Sequence, residues 1–176
     1  MEPCGRSALA LVLVLGALGC HGDPEQSALP LAPAGNATQQ GPVNGISCEA
    51  SEQFVLHIHA HLAVYDHGEA RSLPAGIGIT PRVCISWLHT HDGSGIIHIE
   101  SPTERAFSLG DFFGVWGQPL DGDTVGPAQG AVTAFVDGLK VDGDPSSIAL
   151  HDHAVVQLDV GEPVVAAQPF SFPSGL

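Results

Sequence analysis

Histidine dominates the chemistry open to this sequence: ten occur in 176 residues, most of them in short runs. His57-Ile58-His59-Ala60-His61 places imidazoles at every second position, and His89-Thr90-His91 repeats that spacing ahead of His98 and Glu100. Neutral imidazole is a ligand for Zn, Cu, Fe and Ni. Alternate residues of an extended strand project from one face roughly 7 Å apart, so two can chelate one ion while a neighbouring strand supplies the rest. The expected metal ligands are His59, His61, His89, His91 and His98, with His57 next. A ligating ring usually gives its second N–H to a carboxylate or carbonyl, and Glu100 and Asp92 are expected in that outer role.

The residues that are missing narrow the metal. Met1 is the sole methionine and falls in the leader, which removes thioether chelation of Cu(I). Cys84 is out of phase with His89 and His91 on a regular strand, so an all-nitrogen site is expected over a thiolate copper site. Cu(II) or Zn(II) follows, with Fe behind them. His67 and the pair His151 and His153 sit in turn-like surroundings and read as structural.

Strands must present these rings. From Phe54 to Tyr65, the residues Phe54, Leu56, Ile58, Ala60, Leu62 and Val64 share one face; Val55, His57, His59, His61, Ala63 and Tyr65 share the other. Asp66-His67-Gly68-Glu69 reads as a hairpin turn into Ala70 to Leu73. Arg82 to His91, Asp92-Gly93-Ser94-Gly95 and Ile96 to Glu100 form a second hairpin. With Gly93-Ser94 as its two-residue loop, His89 faces His98, His91 faces Ile96 and Trp87 faces Glu100. Ser108 to Trp116 is the expected helix, with Leu109, Phe112, Phe113 and Trp116 at helical spacing and Ser108 with Asp111 as a capping box. Strands at Ala131 to Val136 and Ala154 to Val160, with a turn at Asp137-Gly138, complete the domain. The expected fold is mainly β, a single antiparallel β-sandwich or small barrel with one short helix at about 108–116.

Five Lys plus Arg against 19 Asp plus Glu give a net charge of −14, which opposes phosphate binding and excludes nucleic acid as a partner. Residues 1–20 read as a signal peptide, with Arg6 before an apolar run from Ala8 to Leu18 that is too short to span a bilayer. Leu15 to Cys20 resembles a bacterial lipobox, although Ala17 stands where that pattern usually has Leu. Lipidation at Cys20 would anchor the protein to a membrane, facing the periplasm or cell surface. Residues 21–47, rich in Gly, Pro, Ala, Gln and Asn, read as a disordered tether, leaving 48–176 as the β-rich metal-binding domain. Cys48 and Cys84 are then the cysteines left to pair, as a disulfide in an oxidising compartment.

The runs His57 to Leu62, Leu88 to Glu100 and Phe107 to Gly117 resemble a group of small exported His-rich microbial β proteins, over roughly residues 50 to 160. That resemblance implies an intact domain and brings no activity with it. The cupin signature differs, because it places a glutamate a few residues after its His-x-His pair, whereas Glu100 follows His91 at a distance with His98 between. α-Carbonic anhydrases also bind zinc by His-x-His plus a third histidine, on much longer chains.

Three functions are open at this level. The domain stores, buffers or delivers copper or zinc; or it is a metalloenzyme of hydratase, hydrolase or oxygenase type, with an open coordination position served by Glu100 or Asp92 as base; or it is a surface interaction module whose histidines sense pH.

Overall fold

The computed structural model describes residues 28–176. The leader, Cys20 and the first part of the expected tether therefore lie outside the described residues.

Seven strands make the main sheet: β1 (Leu56–Asp66), β2 (Glu69–Arg71), β3 (Leu88–His89), β4 (Ile96–Ser101), β5 (Val132–Val136), β6 (Leu139–Val141) and β7 (Ala154–Val160). Their order is β6-β5-β7-β1-β4-β3, with β2 pairing on β1 beyond β4. The alternation in β1 does what its period requires: Ala60, Leu62 and Val64 are buried in the core, and the odd-numbered histidines take the opposite face. The first hairpin turns at His67 and Gly68, whose φ values of 52° and 80° suit a primed turn that only residues tolerant of positive φ can make.

The helix α1 (Leu109–Trp116) closes the core side. Ser108 Oγ accepts from the Asp111 amide and the Asp111 carboxylate accepts from the Ser108 amide, a complete capping box. Leu109, Phe112, Phe113, Val115 and Trp116 are all buried in the same apolar cluster as the sheet residues.

Two three-stranded sheets complete the architecture, one from Cys48–Glu49, Ile79–Thr80 and Cys84–Ser86, the other from Leu120–Asp121, Thr124–Val125 and Ala128–Gln129. The fold is thus mainly β with one α-helix, and among the described residues no sheet closes into a barrel. Among the named strands the pairing is antiparallel except where β7 runs parallel to β1, with Ala154 opposite Ala60 and Val160 opposite Asp66. The arm expected from Arg82 to His91 is not one strand. Cys84–Ser86 pairs into a small sheet and Leu88–His89 into the main one, so the chain changes sheets at Trp87.

The described part of the expected tether, residues 28–47, packs onto the domain. Leu31, Ala32 and Ile46 are buried, the Leu31 amide donates to the Ser72 carbonyl, and the Trp116 indole N–H donates to the Pro33 carbonyl at 2.8 Å. A few apolar residues and backbone bonds hold this segment where its average composition is that of a loop. Cys48 and Cys84 form the expected disulfide, which ties the end of this segment to the strand that leads toward β3.

Candidate metal centre

Register brings the histidines together. His59 stands opposite His98 across β1 and β4, and His98 stands opposite His89 across β4 and β3, so three imidazoles cross three neighbouring strands in one row. The row above contains His57, Glu100 and, through the Glu100 amide donating to the Trp87 carbonyl, Trp87. The expected register therefore holds at His89 and His98, but the ladder stops there: β3 ends at His89 and β4 begins at Ile96, so residues 90–95 form the connection and His91 does not pair with Ile96.

One ring nitrogen from each of His89, His91 and His98 lies within 4.8 Å of the other two. His89 is fully buried, and its Nδ1 lies 2.9 Å from the Ser86 carbonyl. A carbonyl only accepts, so Nδ1 carries the proton and Nε2 keeps a lone pair for the cluster. That Nε2 is 3.2 Å from His91 Nε2. Two nitrogens bound at about 2.0–2.1 Å to one tetrahedral ion stand roughly 3.3 Å apart, so this pair already has the spacing of ligands. Without an ion the same contact serves as an imidazole hydrogen bond.

Carboxylates flank the cluster. Glu100 Oε1 is 3.7 Å from His98 Nδ1 and 3.5 Å from His57 Nε2, so it faces both rings at once. Burial raises Glu100, but the neighbouring rings of His98, His89 and His57 together outweigh it and leave its carboxyl below the ordinary value. Glu52 reaches His91 from the loop after Cys48, with Oε1 3.5 Å from Nε2. Sequence reasoning missed Glu52, because no periodic pattern surrounds it. The disulfide pinning Cys48 beside the strand of Cys84 was the signal that could have placed it there.

The remaining expected ligands fall outside this trio, with His59 against its edge. The His59 ring meets His98 edge to face at 4.8 Å and His57 at 4.9 Å; the residue is buried and its Nε2 has no hydrogen-bond partner. His57 is half-exposed and turned to Glu100. His61 stacks under Phe170 with centroids 3.6 Å apart, and its Nε2 faces the Ser94 carbonyl. Asp92 serves its turn, accepting from the Ser94 amide at 2.9 Å, and the Ser94 hydroxyl together with that amide holds its carboxyl below the ordinary value. His67 bonds Asp66, His151 bonds Asp137, and His153 contacts the Leu176 carbonyl.

Burial is the main force on the inner rings. It pushes His89, His61 and His59 down to about 4, so all three are neutral at physiological pH. A neutral ring is the form that binds a metal, which spares His89 from competition with protons in mildly acidic solution.

Compared with known proteins, the chain matches no family model, no curated protein and no solved structure.

Proposed function

We propose that the domain binds one divalent transition-metal ion, Zn(II) or Cu(II), through His89, His91 and His98, and stores, buffers or delivers that ion outside the cytoplasm. The observation that carries this reading is the convergence of three ring nitrogens from β3, β4 and the loop between them, within 4.8 Å of one another. The donor chemistry fits: three imidazoles suit Zn(II) and Cu(II), and they leave a fourth position for water or for a ligand on a receiving molecule.

The site is built for exchange on one side and for rigidity on the other. His89 is buried and fixed by the Ser86 carbonyl, whereas the His91 side chain is 46% exposed. A ring open to solvent gives a competing ligand access, which supports buffering or delivery over a closed structural site. The Cys48–Cys84 disulfide points to an oxidising, extracytoplasmic setting. The leader and Cys20 extend the reading to a lipid-anchored protein facing the periplasm or the cell surface.

Calorimetric titration of metal-depleted protein tests the reading. One equivalent of Zn(II) or Cu(II) should bind more tightly than micromolar, and His89→Ala should weaken it by at least about tenfold. Uptake no tighter than micromolar, or an unchanged affinity in His89→Ala, overturns it.

A further inference from the structure

A second set of donors adjoins the first. One oxygen of Glu52, one ring nitrogen of His89 and one oxygen of Glu100 also lie within 4.8 Å of one another. Glu100 is only 3% exposed, and its Oε2 has no hydrogen-bond partner. A buried carboxylate oxygen with nothing to accept from is costly unless a cation or donor meets it. Its surroundings within the sheet do not satisfy it, since His57 and His98 face the other oxygen, Oε1.

We propose that Glu52, His89 and Glu100 form a second cation position that takes a hard divalent ion such as Mn(II), in exclusion of the ion held by the three histidines. This rests on the assignment of His89 as a ligand. The exclusion follows from one ring: Ser86 occupies His89 Nδ1, so Nε2 is the single nitrogen left, and one lone pair serves one ion. The preference follows from the donors. Two carboxylates and one imidazole form an oxygen-rich, negatively charged set suited to Mn(II), whereas the all-nitrogen trio of imidazoles suits Zn(II) and Cu(II). A chain of net charge −14 raises the local concentration of either kind of ion, so the donors, and not the overall field, discriminate between them.

Glu52 and His91 mark the two positions. Each lies on the exposed rim, 3.5 Å from the other, and each belongs to one position and not to the other. Exchange between the positions then replaces His91 by Glu52 at the rim and His98 by Glu100 along β4, about a shared His89.

Electron paramagnetic resonance of Mn(II) added to the metal-depleted full chain tests this, with Zn(II) affinity measured in parallel against a chromophoric chelator. Mn(II) should bind at one equivalent, and Zn(II) should release it one for one. Glu52→Gln should shift the ratio of affinities toward Zn(II) by about tenfold, and His91→Ala should shift it toward Mn(II) by a similar factor. Both substitutions are on the rim, and circular dichroism checks that each variant folds. Mn(II) that stays bound beside stoichiometric Zn(II), or a ratio that neither variant moves, overturns the proposal. A protein that takes Zn(II) but no Mn(II) overturns it as well and leaves the three-histidine reading standing; one that takes neither ion overturns both.

Discussion

Replacing His89 by Gln should flatten the dependence of stability on pH in the metal-free protein. The His89 ring is fully buried, and burial lowers its pKa from 6.5 to about 4 in the folded state. The unfolded chain therefore binds a proton first as the solution is acidified. The stabilising contribution of the neutral ring is present above the unfolded value, declines as pH falls through it, and is lost by the folded value of about 4. For one group with these two values, the loss between pH 7 and pH 5 is about 2 kcal/mol, and nearer 3 kcal/mol by pH 4. His59 and His61 are lowered by burial as well, so the wild type loses more than this in total, and the informative quantity is the difference between wild type and variant. Urea denaturation at the two pH values, in the presence of a chelator, measures it. The variant should lose about 2 kcal/mol less than the wild type between pH 7 and pH 5. Equal losses in the two proteins would refute the claim that a neutral buried His89 is part of the folded state.

Other perturbations reach the scaffold that holds the rings. Removing the disulfide by Cys48→Ala with Cys84→Ala frees a loop with a sequence separation of 36, and should lower stability by roughly 4 kcal/mol in chemical denaturation. Gly78 has φ of +73°, and a Cβ there would collide with the Leu88 carbonyl and lie 3.2 Å from the His89 Cβ, so Gly78→Ala should cost about 2 kcal/mol and weaken metal binding by displacing β3; an unchanged melting temperature contradicts this. Ser108→Ala removes the capping box of α1 and should cost about 1 kcal/mol by thermal melting. Phe170→Ala should cost about 1 kcal/mol through its lost stacking on His61, with metal stoichiometry unchanged because His61 lies outside the three-histidine cluster.

Much of the positioning was legible because it is local. Period two in β1, the turn at Asp92 to Gly95 and the Ser108–Asp111 capping box each act over a few residues, and they lead to the sheet face, the His89–His98 register and the helix. The choice among six histidines was not legible, because it depends on contacts that sequence spacing does not encode. The His61 ring is covered by Phe170, from an irregular segment more than a hundred residues away, and the His91 ring bends to His89 instead of remaining opposite Ile96. Glu52 enters through the disulfide, and the parallel partner β7 arrives from the far end of the chain. The segment 28–47 departs from its expectation for a related reason: average composition measures how much surface a stretch can bury, whereas Leu31, Ala32 and Ile46 join a core supplied by the rest of the domain while backbone and indole hydrogen bonds hold the segment on it.

X-ray absorption at the zinc edge, on protein loaded with one equivalent of Zn(II), addresses the binding of metal by these rings most directly. A first shell of nitrogen and oxygen at about 2.0–2.1 Å, with the outer-shell scattering of three imidazoles that falls to two in His98→Ala, is the predicted result. A spectrum with no imidazole scattering, or one that His98→Ala leaves unchanged, would contradict it.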